Sequence, residues 1–499
     1  VVRLQQRLVD VGQPRVLGEL IVGVLLVSIL LGVGLVAVGA ADGSTGTTES
    51  VGVSDGSTGV STFSNSVSGA IDTQSTLTAT DDTDTIYLQN ELFMAEASGT
   101  VGVTTRAEIP DRVTELEITL HSTNDATVDA DGFEPADDAD PDEEVWAWDG
   151  ETESPSLTYM MDANDTVDEQ GPIASDGTYR FVDAGDWALV QTPRLTAAWS
   201  YTGQFSGQVR IERENVVDGE GTASRTMAFL GPYEEHLHEG VDEQYRLIVP
   251  DAAEMAESPS EVFAAFDDAA NALRVGSTDD EVFAVAAPTG DVSWAVRGLQ
   301  TGDTDLWVRD EETLDTPDDV WTHEYVHTRQ SYRTEPSARW FTEATATYYA
   351  ALFALERGDV DFDAFERTLA RGEREPDASS ILADPETWAD NADYTKGALV
   401  AGELDRRIRL ATDDGASLAT VFRSLNDADD PITNEHILDA VETAAGEGGN
   451  EATAAEIRDE AERLTATQTA AETWDQAAHT EAFGETPAQV GYALADDGV

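Results

Sequence analysis

The chain has no cysteine in its 499 residues. Disulfide frameworks, thiolate metal ligands and cysteine nucleophiles are therefore excluded. Positive charge is scarce as well. Only 28 Lys and Arg stand against 99 Asp and Glu, a formal net charge of −71, and Lys396 is the sole lysine. That sign of charge argues against nucleic-acid binding, since phosphate contacts need a basic surface. The acids are spread along the whole chain rather than gathered for one basic partner. Their mutual repulsion would strain a fold at low ionic strength, whereas at molar salt the Debye length shrinks to about 3 Å. A halophilic protein, from a very salty environment, is the simplest account.

Long apolar runs are also rare. One stretch, Leu20 to Ala41, passes 22 positions without a charged residue, enough for a transmembrane helix. Arg3, Arg7 and Arg15 precede it and acidic sequence follows. The positive-inside rule then leaves the N-terminus in the cytoplasm and the rest extracellular, as a single-pass protein of the cell membrane. A cleaved signal peptide, with Val38-Gly39-Ala40-Ala41 as the small-residue site, is the alternative to an uncleaved anchor.

Beyond this anchor (residues 1–41), composition divides the chain. Residues 42–85 are rich in Gly, Ser, Thr and Asp and bury too little to offset ordering entropy, so a flexible stalk is expected. Residues 86–250 carry short apolar or alternating runs such as Val101-Gly102-Val103, Leu116 to Leu120 and Tyr245 to Val249. Turn-forming clusters separate them, the pattern of an antiparallel β-domain. Glu134 to Glu144 is expected as an acidic surface loop. Residues 251–415 turn to mixed α and β patterns, and 416–499 to a C-terminal helical region.

The chemistry lies in His323-Glu324-Tyr325-Val326-His327, followed after fifteen residues by Glu343. Histidines at i and i+4 sit about 40° apart around a helix and roughly 6 Å along it, so both rings can meet one ion. A carboxylate from a second helix would complete three ligands with one position open, as catalytic zinc requires. The bland alternative is a helix with two solvated histidines. Thr316-Pro317-Asp318-Asp319 predicts a helix start with Thr316 as N-cap and Pro317 at the first helical position, running Val320 to about Arg333. A second helix is expected from near Pro336 to Gly358, with Glu343 in its second turn.

Further on stand Tyr394-Thr395-Lys396-Gly397-Ala398-Leu399, Leu404-Asp405, Ile408-Arg409 and Ser417-Leu418. Together with H-E-x-x-H and Trp340-Phe341-Thr342-Glu343-Ala344, this resembles the gluzincin metallopeptidases, above all the glycyl-aminopeptidase-like group (M61), with the M1 aminopeptidases as relatives. The resemblance implies a multidomain α+β protein whose catalytic domain is a thermolysin-like zincin. It implies Zn2+ held by His323, His327 and Glu343, with Glu324 as the general base acting on a zinc-bound water. Tyr394 would stabilise the oxyanion. A peptide or protein would be the substrate. Three departures accompany it. Gln300, in Arg297-Gly298-Leu299-Gln300, stands where an acid would bind the substrate's amine, which leaves aminopeptidase or oligo- and endopeptidase action open. Thr347 stands where a carboxylate supporting a ligand is expected. The gap to Glu343 is short. The competing functional class is a non-catalytic surface protein that keeps the peptidase fold to bind peptides. His236 and His238 are weaker ligand candidates, and His121, His436 and His479 are expected as isolated residues.

Overall fold

The computed structural model describes residues 48–51 and 85–490, except 124–126, 137–142, 168–176, 203–208, 242, 276–280 and 390. The expected anchor at Leu20 to Ala41 lies outside the described residues. No described helix is long and apolar enough to cross a membrane. The chain forms two compact units, one of Val1–Val167 with Tyr179–Tyr233, the other of Asp168–Thr178 with Glu234–Val499. It is a multidomain α+β protein.

The first unit is built from strands whose alternate residues point inward. In Thr85–Met94, Ile86, Leu88, Asn90 and Leu92 are buried while their neighbours are not. Among the described residues these strands form three five-stranded sheets. Most pairs are antiparallel, as the alternation predicts, with one correction: Arg210–Val217 runs parallel to Thr85–Met94, Ile211 opposite Ile86. A parallel pair needs a long connection, and here more than a hundred residues supply it. The flanks of the acidic insert are not loop but a paired ladder, Phe133–Pro135 against Glu144–Trp148. Thr48–Val51, within the segment expected as a stalk, pairs with Trp199 to Thr202.

In the second unit a mixed sheet carries the site. Its strands are β1 (Tyr233–Glu239), β2 (Gln244–Pro250), β3 (Glu281–Ala287), β4 (Gly298–Thr301) and β5 (Asp305–Arg309), ordered β1-β2-β3-β5-β4. Strands β2, β3 and β5 are parallel, and β4 lies antiparallel at the edge. Helix α1 (Pro259–Leu273) starts with a capping box from Ser258 and Glu261 and buries Val262, Phe266 and Ala269. The helices that bear the candidate site residues follow: α2 (Val320–Thr328), α3 (Trp340–Arg357) and, after Phe362–Leu369, α4 (Thr395–Thr412). Helices Leu418–Asn426, Asn434–Gly446 and Glu451–Thr465 pack into the same buried cluster, which runs from Tyr245 to Trp474.

Candidate metal centre

Helix α2 is shorter than its sequence suggests. Its N-cap is Asp319, not Thr316: the Asp319 carboxylate accepts from the Thr322 backbone N–H at 3.1 Å and from its hydroxyl at 2.5 Å. This carboxylate is fully buried, and Arg357 of α3 pairs with it at 2.8 Å. The helix ends at Thr328 rather than near Arg333, because tertiary partners take over the backbone. Ser331 N–H donates to Asn426, and Glu335 N–H to the Ile432 carbonyl. The Arg329 side chain turns inward to Glu243 at 2.9 Å, and the Tyr325 hydroxyl donates to the same carboxylate. Tyr325 also stacks on Phe266 at 4.9 Å, so the face of α2 away from the histidines is pinned to α1.

A 3-10 turn at Pro336–Ala338 leads into α3, which puts Glu343 in the first turn, not the second. Gly358 ends the helix with φ 86°, the left-handed stop expected of a glycine there. Trp340 and Phe341 are fully buried, and the Trp340 indole donates to Asn434 at 3.0 Å. The aromatic run fixes Glu343 rather than lining a pocket. Gly397 and Ala344 let α4 approach α3: a Cβ at residue 397 would lie 2.9 Å from that of Ala344. That close crossing brings Tyr394, at the head of α4, to the histidines. Its ring stacks on His323 with centroids 6.0 Å apart and planes at 10°.

His323, His327 and Glu343 converge, and among the described residues they form the one group of side chains arranged to hold a metal ion. The two Nε2 atoms are 3.1 Å apart, and a Glu343 oxygen lies 3.4 and 3.3 Å from them. Donors about 2.0–2.1 Å from a common tetrahedral ion are separated by about 3.3–3.4 Å, so the trio has the spacing of a ligand set. The same oxygen, Oε2, is buried and has no well-aligned hydrogen-bond partner among the described residues. A divalent cation fits this set of two imidazoles and a carboxylate. Burial opposes charge on Glu343, but His327 and His323 hold its carboxyl well below the usual range. Burial likewise opposes charge on His327, but Glu343 draws it up to about 9.

Glu324 stands beside this trio, buried on the side of the edge strand β4. Its carboxyl is raised by burial, against the pull of both histidines and a hydrogen bond from the Gln300 backbone. Gly298 makes that approach feasible, since a Cβ there would lie 2.8 Å from the Glu324 carboxylate and 2.6 Å from Val320. Gln300 thus meets Glu324 through its backbone, while its side-chain amide donates to the Gly302 carbonyl. Burial, then Glu343 and Asp393, keep the Tyr394 phenol protonated far above its usual pKa, its hydroxyl facing the Glu343 carboxylate.

Lys396 is completely buried and donates to the carbonyls of Ser380 at 2.6 Å and Thr467 at 3.2 Å. A compact ammonium suits these two acceptors, whereas a planar guanidinium is bulkier and needs more of them. Thr347, where a supporting carboxylate is expected, has a buried hydroxyl with no partner among the described residues. His327 instead meets Gln330, whose Oε1 lies 2.9 Å from Nδ1. The sequence reading missed this residue; its spacing of three from His327 was the available signal. The remaining histidines have other partners. His238 pairs with Asp267 at 2.7 Å and packs beside Tyr245 and Phe263, His236 lies near Glu234, and His121 contacts Thr196. His436 caps its own helix with Thr433, and His479 is buried among aromatic rings.

No protein-family model matches the sequence, and no curated protein matches it either. Solved structures do resemble the fold. A mutant of the M1 zinc metallopeptidase from Deinococcus radiodurans, bound to a Tyr-Ser-Ala substrate, aligns with a TM-score of 0.48 at 14% identity. The alignment covers 79% of this chain and 95% of that one. An aminopeptidase N family protein from Idiomarina loihiensis aligns at 0.45 and 11% identity, covering 68% and 70%. At such scores the likeness does not reach the site's chemistry, which rests on the geometry of this chain.

Proposed function

We propose that this chain is a zinc-dependent metallopeptidase that hydrolyses peptide bonds. The observation that carries the proposal is the His323, His327 and Glu343 trio, spaced as metal ligands, with Glu324 and Tyr394 both close to it. Two imidazoles and a carboxylate are a donor set suited to zinc, which when bound acidifies water and polarises a carbonyl. The chain's own side chains supply the rest. Glu324, held by the Gln300 backbone, takes a proton from the attacking water and returns it to the departing amine. The Tyr394 phenol donates to the carbonyl oxygen as negative charge builds there, a contribution of about 3 kcal/mol for one well-placed donor.

Within the gluzincins, Tyr394 to Leu399 favours the glycyl-aminopeptidase-like group. At Gln300 a neutral amide offers no ion pair to a substrate's ammonium, which favours oligo- or endopeptidase action over strict aminopeptidase action. The uncharged run from Leu20 to Ala41 supports attachment to the cell membrane with the site outside, and the net charge of −71 supports work in concentrated salt. Deleting residues 1–41 should release the protein from the membrane fraction; retention there would contradict the anchor.

The deciding experiment measures zinc content and cleavage of a fluorogenic peptide mixture in molar salt, for the parent and Glu324→Gln. One equivalent of zinc and a loss of about 10²–10⁴-fold in the variant are expected. Equal cleavage by both would reject the role of Glu324. Zinc without cleavage in the parent would indicate the peptide-binding protein instead. N-blocked against free-amine peptides then separates the two modes of attack.

A further inference from the structure

Gln330 lies just past the end of α2, and its amide bridges the two elements that carry the trio. Its Nε2 donates to the Thr342 carbonyl at 2.9 Å and to the Thr345 hydroxyl at 3.0 Å, both on α3. Thr345 spends its own hydrogen on the Phe341 carbonyl at 2.9 Å, so it is an acceptor toward Gln330. With both amide hydrogens committed, Oε1 is left to face His327 Nδ1 at 2.9 Å. An amide oxygen can only accept, so Nδ1 carries the hydrogen. In a neutral imidazole the lone pair is then on Nε2, the atom that faces His323 and Glu343. The backbone adds a second tie, Gln330 N–H to the His327 carbonyl at 3.1 Å.

We propose that Gln330 is the positioning residue of the metal centre: it selects the tautomer of His327, fixes its ring, and locks α2 to the turn of α3 that presents Glu343. This rests on the zinc reading above and adds to it the partner of His327. Thr347 is not that partner, since its buried hydroxyl meets no other group among the described residues. The amide also orients the ring without adding negative charge beside Glu324 and Glu343.

The test measures zinc affinity of the full chain in molar salt, by competition with a chromophoric chelator. It also records the visible spectrum after cobalt substitution and the melting midpoint of the metal-free protein. Gln330→Met, similar in volume but unable to accept, should bind zinc about 10–100-fold more weakly and alter the cobalt bands. Its metal-free midpoint should fall by a few degrees, because Thr342 and Thr345 lose the Nε2 donor. Gln330→Glu keeps an acceptor for Nδ1 but sets a carboxylate oxygen, in place of the Nε2 donor, against the Thr342 carbonyl, so it should weaken zinc binding less than Gln330→Met does. Unchanged affinity and cobalt spectrum in Gln330→Met would overturn the assignment while leaving the zinc site standing. If that variant does not fold, Gln330→Asn, whose shorter amide cannot reach His327 and α3 together, replaces it: a loss of about tenfold or more would support the assignment, and parental affinity would overturn it. A parent that takes up no zinc would overturn this assignment and the proposed function together.

Discussion

Gly298→Ala tests whether the edge strand β4 aims Glu324. The new Cβ would sit 2.6 Å from Val320 Cγ1 and 2.8 Å from both Cγ and Oε1 of Glu324. Ordinary carbon contacts are about 3.5–4.0 Å, so strand and helix must part, or Glu324 must move, by roughly 1 Å. Overpacking of that size costs about 1–3 kcal/mol of stability. Misplacing a reacting group by 1 Å costs on the order of 100-fold in rate. His323, His327 and Glu343 are untouched by the substitution, so zinc content should stay at one equivalent. The assay is kcat/KM with a fluorogenic peptide in molar salt, in the parent and Glu324→Gln backgrounds. A drop of about 100-fold is expected in the first and little further loss in the second, because residues acting as one unit are not additive. Parental activity in the single variant, or the same fold-loss in both backgrounds, would refute the argument.

Two predictions concern stability. Arg329→Met strands the Glu243 carboxylate, whose side chain is 0% exposed, at a cost of about 3–5 kcal/mol. By scanning calorimetry the melting midpoint should fall by about 6–20 °C, with Glu243→Gln in the same chain recovering at least half; a fall under 2 °C would contradict a paired buried charge. His479, buried among Phe362, Phe365 and Phe483, has its pKa lowered by burial and then by Arg409 to about 4. Its folded pKa lies below the unfolded value of about 6.5, so the neutral ring is tolerated above that pH. Stability then falls as pH drops from about 6.5 to 4, by about 3 kcal/mol in all. Chemical denaturation at several pH values should show this difference between the parent and His479→Gln, and parallel curves would exclude it.

Sequence alone determined what depends on a few neighbouring residues. Two histidines four apart share a helix face whatever surrounds them, and Gly358 ends α3 because a left-handed residue is needed there. Alternating runs such as Ile86, Leu88 and Leu92 set strand faces in the same local way. What lay beyond reach involves partners distant in the chain. Asp319 replaces Thr316 as the cap of α2 because Arg357, 38 residues on, compensates its burial. Helix α2 stops at Thr328 because Asn426 and Ile432 take up the chain that follows. The parallel pairing of Ile211 with Ile86 leaves no trace in either strand's pattern. The same holds at the site. The convergence of His323, His327 and Glu343 was legible from spacing, but the Gln330 link to α3, the Gly298 clearance beside Glu324 and the Gly397–Ala344 crossing that delivers Tyr394 were not. Hydrogen-bond geometry along one helix is written within four residues, whereas ångström-scale approach between helices is decided only when all their packed neighbours are in place.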